Sequence, residues 1–139
     1  MQLTSREQSS INRLLIFLIA LDVVIAMIAL FFPDFWCEIF HGTDYLETYG
    51  LLRRTAAIWV AFALFQAIAL VKWKQNYLWL VIVAGLRLSE VFSDWAYLAF
   101  SDSVTWFAWA ALLLSPPSNL FFGWYLFSKA NLLKSSLKT

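Results

Sequence analysis

The chain has 139 residues, of which 62% are hydrophobic and 19% aromatic, while only 14% carry a charge. Soluble domains carry about 25% charged residues and leave a large share of their surface in water, so this composition excludes an ordinary soluble domain. Ten Lys and Arg residues against nine Asp and Glu residues also argue against a nucleic-acid partner, which would call for a basic excess.

Four apolar stretches are long enough to cross a bilayer, and they run near residues 13–32, 51–71, 77–100 and 104–127. Each is predicted to be a helix, because the strands of a membrane barrel are about half as long and alternate apolar with polar residues. Segment 33–49 begins with proline and carries apolar residues at helical spacing, which indicates a short helix in the outer interface. The predicted fold is therefore all-α, an integral membrane four-helix bundle with a short outer interfacial helix. Residues 1–139 form one domain.

Local signals refine the ends of these elements. The residues from Thr4 to Glu7 fit a capping box, so we expect a helix to start ahead of the membrane. Gly42 is expected to end the short helix. The tail 131–139 mixes leucine with lysine and is expected to lie along the inner surface.

The basic residues give the chain an orientation. Seven of them fall on one side of the predicted bundle: Arg6, Arg13, Lys72, Lys74, Lys129, Lys134 and Lys138. The other side is mainly acidic, with Arg53 and Arg54 as its basic residues: Asp34, Glu38, Asp44, Glu47 and Asp102. The positive-inside rule then predicts a multi-pass protein with both termini in the cytoplasm.

Charged residues at membrane depth call for partners, because each costs roughly 2.5 to 3.5 kcal/mol even on lenient scales. Arg87, Glu90 and Asp94 are spaced three and four apart, so they share one helix face. Counting residues from the cytoplasmic ends puts Asp22 level with Arg87. Counting from the turn at residues 73–76 puts Arg54 level with Asp94, which predicts an ion pair.

The last apolar stretch carries a second polar feature, the sequence Ser115-Pro116-Pro117-Ser118-Asn119. The two prolines remove backbone donors halfway along the helix, which predicts either a simple kink or a break of the helix at the midplane. We expect one midplane polar centre, formed by Asp22, Arg87, Glu90, Ser115, Ser118 and Asn119. It is either a structural ion network that fixes helix register or a proton or ligand site.

The remaining polar residues have two interpretations each. His41 is expected to be a solvated loop residue, with a single axial ligand to a pigment as the alternative. Gln66 either donates a hydrogen bond across helices or faces the polar centre. Cys37 is expected to pack in the interface.

Several enzyme classes lack their motifs. The sequence contains no Walker loop, dinucleotide fingerprint, HExxH, CxxC or Gly-x-Ser-x-Gly. One Cys and one His exclude an internal disulfide framework, a zinc site built from these residues and haem held between two histidines. We expect no metal site and no catalytic set, and a non-enzyme is therefore the first expectation. The missing motifs leave intramembrane acid–base chemistry open.

The segments Pro33-Asp34-Phe35-Trp36, Tyr49-Gly50-Leu51-Leu52-Arg53-Arg54 and Gly85-Leu86-Arg87-Leu88-Ser89 follow one another in an order that resembles the small four-helix bacterial membrane proteins of the DoxX-like type. The resemblance covers most of the chain in outline. It implies the four-helix architecture, and that group includes subunits of quinone-linked membrane oxidoreductases.

Three functions are compatible with these features. The first hypothesis is an accessory or scaffold subunit of a larger membrane complex, with the lipid bilayer, other membrane subunits or a second copy as partners. The alternative is a stand-alone transporter, binding protein or proton-coupled enzyme for a small lipophilic ligand. A third is a pigment-binding subunit. A bound lipid, quinone or pigment is the cofactor that these hypotheses allow.

Overall fold

The computed structural model describes residues 3–46 and 49–136, and over these residues the chain is all-α. Four long helices and one short helix follow in the order α1 (Ser5–Phe31), α2 (Pro33–His41), α3 (Leu51–Lys72), α4 (Leu78–Phe100) and α5 (Trp106–Ser136). The all-α prediction is confirmed. The predicted outer-loop residue Glu47 and the basic tail residue Lys138 lie outside the described residues.

The ends of α1 and α2 follow their capping signals. The Glu7 backbone N–H donates to Thr4 Oγ1 at 3.3 Å, and the Thr4 backbone N–H donates to Glu7 Oε2 at 2.8 Å. This reciprocal pair starts α1 eight residues ahead of Arg13 and confirms the capping box. Pro33 opens α2, and Gly42 ends it with φ 67°, a left-handed conformation that glycine adopts without strain. The short helix predicted in segment 33–49 is thus Pro33–His41.

A tight turn joins α3 to α4 within one residue of the predicted bounds. The backbone N–H groups of Gln75 and Asn76 both donate to the Lys72 carbonyl at 3.0 Å. The Asn76 side chain then accepts from the Leu78 backbone N–H at 3.0 Å, which caps the first turn of α4.

Helix α5 departs from the sequence prediction in two ways. It runs continuously from Trp106 to Ser136 with Pro116 and Pro117 inside it, so of the two predicted outcomes the break is not formed. Each proline removes one backbone N–H donor, but the φ angle that its ring imposes is compatible with a helix. The flanking turns remain helical. The Ser118 hydroxyl also donates to the Leu114 carbonyl, at 2.8 Å. The helix also continues nine residues past Phe127 through most of the predicted surface tail.

The helices pack as two close pairs. α1 packs mainly on α3, and α4 packs mainly on α5, whereas α3 and α4 touch less extensively despite their short connection. A core at the α3–α4 turn end includes Ile11, Leu15, Trp73, Leu80 and Leu126. A smaller core under α2 is formed by Ala29, Trp36 and Ala56. Because α3 and α4 diverge between these cores, space remains between them.

Two polar contacts tie the turn end of the molecule together. Trp73 Nε1 donates to Asn12 Oδ1 at 2.9 Å and joins α3 to α1. Lys129 Nζ lies 2.8 Å from Glu7 Oε1 and joins α5 to α1. The first contact strengthens the pair of α1 and α3, and the second links this pair to α5.

Close packing between α4 and α5 depends on Gly123. A Cβ at this position would lie 2.9 Å from Leu88 Cγ and 3.2 Å from the Ala84 carbonyl oxygen, whereas a Cβ at Gly85 would meet nothing within 4 Å. We expect Gly123→Ala to lower the free energy of unfolding by about 1 to 3 kcal/mol through overpacking.

Gly85→Ala is the matched control, since it makes the same chemical change in an open position. It should leave stability unchanged or raise it by up to about 1 kcal/mol, because alanine favours helix over glycine. Unfolding followed by circular dichroism in detergent micelles measures both variants. Equal effects of the two substitutions would contradict the described α4–α5 contact.

Two helices, α1 and α3, are long and apolar enough to cross a membrane. Four such helices were predicted. The remaining two long helices differ in composition: α4 carries Arg87, Glu90 and Asp94, and α5 carries the Ser-Pro-Pro-Ser-Asn sequence. Whether these two also cross a membrane depends on where their polar side chains lie.

Candidate functional site

A buried polar network joins α1, α3 and α4. Arg87 donates through Nη2 to Asp22 Oδ2 at 2.6 Å and through Nη1 to Asp22 Oδ1 at 3.2 Å. Gln66 Nε2 also donates to Asp22 Oδ2 at 2.6 Å. All three residues are at most 2% exposed. The predicted meeting of Asp22 and Arg87 is confirmed. Gln66 makes a cross-helix hydrogen bond to Asp22 and so also faces the polar centre, which combines its two interpretations.

The network leaves two polar atoms without hydrogen-bond partners among the described residues, Arg87 Nε and Gln66 Oε1. The Arg87 guanidinium carbon instead lies 5.5 Å from the centroid of the Phe62 ring, a distance at which the aromatic face attracts a cation. Asp22 thus supplies the charge that balances Arg87, and Phe62 covers the guanidinium on another side. This bidentate ion pair fixes the position of α1 along the axis of α4.

Glu90 and Asp94 continue the charged face of α4 one and two turns beyond Arg87, as predicted. Both line a cavity between the helices. The Trp59 indole contacts the Glu90 carboxyl, and the Ser115 side chain contacts the Asp94 carboxyl. Asp94 Oδ2 is buried and has no hydrogen-bond partner in the described part of the chain. Neither acid forms an ion pair with a described basic residue.

The predicted Arg54–Asp94 ion pair is not formed. Arg54 is exposed, and the ion pairs among the described residues are Arg87–Asp22 and Lys129–Glu7. Counting residues gave the depth of Arg54 but not its direction. Its neighbour Thr55 lines the cavity, and adjacent helical residues point about 100° apart, so Arg54 lies to the side of the cavity-lining face of α3.

Of the three α5 residues of the predicted polar centre, Ser115 and Asn119 stay together and Ser118 lies apart from them. Asn119 is 7% exposed and donates through Nδ2 to Ser115 Oγ at 3.0 Å. Ser115 in turn lies beside Asp94. Ser118 is exposed and donates to its own helix, so it does not belong to the centre. The convergence is thus partial: Asp22, Gln66 and Arg87 form one cluster, and Asp94, Ser115 and Asn119 form a second.

An aromatic cavity of about 820 Å³ lies between α2, α3 and α4. We use this name for the space lined by Trp36, Cys37, Phe40, His41, Tyr45, Leu51, Leu52, Thr55, Ile58, Trp59, Phe62, Ser89, Glu90, Ser93, Asp94, Ala96, Tyr97 and Leu112. Ser89, Ser93 and Ala96 form an exposed strip of α4, so the cavity opens between α3 and α4. Small side chains at this opening leave a passage that larger ones would close.

Three aromatic rings form one wall of the aromatic cavity. Trp36 stacks on Phe40 with ring centroids 4.4 Å apart, and its ring lies 5.2 Å from that of Trp59. Trp36 is also buried against Ala29 and Ala56, which holds α2 over α1 and α3. Helix α2 therefore encloses one side of the aromatic cavity.

His41 is an ordered residue at the end of α2, and the expectation of a solvated loop residue is wrong. Its Nδ1 lies 2.6 Å from the Ser103 carbonyl oxygen, and its Nε2 is hydrogen-bonded to the Tyr97 hydroxyl. A carbonyl only accepts, so Nδ1 carries a proton. Both ring nitrogens are occupied, which argues against His41 as an axial ligand. The residue instead ties α2 to α4 and to the segment before α5.

Sequence reasoning identified the acids but missed the aromatic cavity. Apolar residues on one helix look alike whether they face lipid, a neighbouring helix or an empty space, so composition carried no signal for it. The spacing of Ser89 and Ser93 on α4 was the available signal, because small residues four apart lie on one face of a helix and leave space beside it.

The aromatic cavity offers hydrogen-bonding and electrostatic groups rather than a catalytic set. Its polar atoms come mainly from two carboxyl groups and the His41–Tyr97 pair, set among aromatic and aliphatic side chains. Over residues 3–46 and 49–136, no three His, Cys, Asp or Glu side chains are grouped to hold a metal ion. Such a site can bind and orient an apolar molecule that carries one polar or charged group.

Compared with models of known protein families, with curated proteins and with solved structures, the chain matches none. The resemblance to DoxX-like proteins therefore rests on the residues quoted for it. Function has to be argued from the geometry of the aromatic cavity and the buried network.

Proposed function

We propose that the chain is a multi-pass membrane protein in which α1, α3, α4 and α5 all cross the bilayer. The charges of α4 support this topology, because Arg87 is paired in the interior and its two acids face the aromatic cavity. Large apolar side chains face outward on every long helix, including Phe31 at 59%, Leu64 at 59%, Phe92 at 75% and Leu114 at 69% exposure. In water such a surface would aggregate, whereas in lipid it is solvated.

The proposed orientation places both termini in the cytoplasm and α2 on the outer face, in a bacterial inner membrane as the DoxX-like resemblance implies. Cys37 on α2 is the single cysteine and reports the side on which that helix lies. A membrane-impermeant thiol reagent added to intact cells should label Cys37, and the label should be lost in Cys37→Ser. If Cys37 is labelled only in inverted vesicles, which expose the cytoplasmic face, the orientation is the opposite of the proposed one.

Within this topology we propose that the protein binds a small lipophilic ligand in the aromatic cavity. The observation that carries the proposal is the cavity itself: about 820 Å³, mostly apolar and aromatic, with a few convergent polar groups. Binding sites for small molecules are typically about 300 to 1,000 Å³ with this kind of lining. The opening between α3 and α4 would admit a ligand directly from the lipid phase. A stand-alone binding protein or transporter fits this arrangement.

Native mass spectrometry after mild extraction tests the proposal. The full chain, 16.1 kDa, is expected to carry a bound molecule that collisional activation releases at one defined mass. Lipid, quinone and pigment would each give a different mass. A chain that arrives without any bound molecule, while the rest of its spectrum shows a folded charge distribution, would overturn the proposal.

An accessory subunit of a larger membrane complex is the second candidate. Aromatic side chains are strongly exposed where α4 ends and α5 begins, with Phe100 at 86% and Trp106 at 82% exposure, and aromatic residues are enriched at protein interfaces. The same mass spectra separate this candidate from the first, since a partner subunit or a second copy adds a protein mass. Pigment binding loses its main support because both nitrogens of His41 are hydrogen-bonded.

A further inference from the structure

We infer that the ligand of the aromatic cavity is a lipophilic organic cation, such as an amine or quaternary ammonium group on an apolar body. This inference rests on the proposed function, namely that the cavity binds a small molecule. It is carried by three features of the cavity: its uncompensated acids, its aromatic wall and the absence of a competing cation from the described lining residues.

The aromatic cavity has an acidic lining. Glu90 and Asp94 lie four residues apart on α4, which puts their carboxyl groups on the same face one turn apart. None of the described lining residues is Lys or Arg. Arg87, the nearest cation along α4, is held by Asp22 at 2.6 Å, so its charge is already balanced. A positively charged ligand would supply the missing partner for the acids.

The other groups near the cavity do not neutralise these acids. His41 is engaged by Ser103 and Tyr97 and forms no ion pair with either acid. Arg53 is exposed and lies 6.0 Å from the Tyr45 ring at the cavity edge, and it too forms no ion pair with a described residue. Asp94 Oδ2 in particular is buried without a donor, and a ligand ammonium group that reaches it would supply one.

The aromatic wall fits the same ligand class. Cations are attracted to the faces of tryptophan, tyrosine and phenylalanine, and aromatic cages recognise quaternary ammonium groups in this way. Trp59 lies beside Glu90 and next to the stacked Trp36 and Phe40 rings. An aromatic ring and a carboxylate therefore lie side by side at one point of the cavity. The apolar remainder of the lining would take the hydrophobic body of the ligand.

A pair of probes that differ only in charge tests the inference. They are (2-naphthylmethyl)trimethylammonium and its uncharged isostere 2-neopentylnaphthalene, in which carbon replaces the charged nitrogen. The full chain is placed in nanodiscs of uncharged phosphatidylcholine, and binding is measured by equilibrium dialysis with empty nanodiscs subtracting the lipid partitioning. We expect the cation to bind at least about tenfold more tightly than the isostere.

The double variant Glu90→Gln with Asp94→Asn should weaken binding of the cation at least about tenfold. Its binding of the isostere should be unchanged or tighter. Asp102→Asn is the matched control, because Asp102 is an exposed acid outside the cavity, and it should bind both probes as the natural chain does. Binding of the isostere by the double variant also shows that the variant is folded.

The outcomes separate this inference from the function on which it rests. If the isostere binds the natural chain as tightly as the cation, or the double variant keeps its affinity for the cation, the charge inference is wrong while the ligand-binding function stands. If neither probe binds the natural chain above empty nanodiscs, both the inference and the ligand-binding proposal fail for molecules of this size.

Discussion

Arg87→Leu should lower the free energy of unfolding by about 3 to 5 kcal/mol, the cost of leaving a buried charge without its partner. The residue left behind is Asp22, which is 2% exposed and would keep only the hydrogen bond from Gln66. Asp22→Asn should have a similar effect because it strands the Arg87 guanidinium. Unfolding in mixed detergent micelles, followed by circular dichroism, measures both.

The double variant Asp22→Asn with Arg87→Leu distinguishes a structural ion pair from a functional one. If the pair is structural, the double variant should recover most of the lost stability, since replacing both members of a buried pair by neutral residues is often nearly neutral. Arg54→Leu is the matched control: it makes the same substitution at an exposed arginine outside any described ion pair, so little change is expected. Single variants as stable as the natural chain would contradict a buried ion pair.

Ser93→Trp should abolish ligand binding while leaving the fold intact. Ser93 is exposed at the opening of the aromatic cavity, so a large side chain can occupy the cavity without displacing the helices. Its hydroxyl donates within α4, to the Glu90 carbonyl at 3.2 Å, and the substitution breaks no contact between helices. We expect affinity to fall at least about a hundredfold, or about 2.8 kcal/mol.

Ser118→Trp is the matched control for Ser93→Trp. Ser118 is also an exposed helical serine, with its hydroxyl donating to the Leu114 carbonyl at 2.8 Å, but it does not line the aromatic cavity. Native mass spectra of the two variants compare the fraction of chains that carry the bound molecule. Equal occupancy in Ser93→Trp and Ser118→Trp would place the ligand elsewhere and reject the cavity as its site.

The sequence was informative about depth along the helices and less so about direction around them. Asp22 and Arg87 were matched by counting residues, and the two side chains meet because each faces the interior. The same counting failed for Arg54, which is exposed and forms no ion pair with Asp94. A one-residue difference along a helix rotates a side chain by about 100°, so a correct depth does not establish a contact.

Features that depend on several helices at once were beyond prediction from the sequence. The size of the aromatic cavity follows from how far α3 and α4 diverge, which no single segment encodes. His41 gave no signal of its own because its partners, Ser103 and Tyr97, are about sixty residues away. Pro116 and Pro117 gave a strong signal for a break, yet α5 continues through them because the surrounding turns hold.

The location of the α4 charges also bears on how the chain would enter a bilayer. α1 and α3 are long and apolar enough to cross a membrane, whereas α4 would carry three charged residues, each costing roughly 2.5 to 3.5 kcal/mol at the bilayer centre. Asp22 is synthesised before Arg87 and offers it a partner once α1 is in place. We therefore expect the insertion of α4 to depend on α1. The Asp22–Arg87 contact would then lower the cost of inserting α4 as well as stabilise the folded protein.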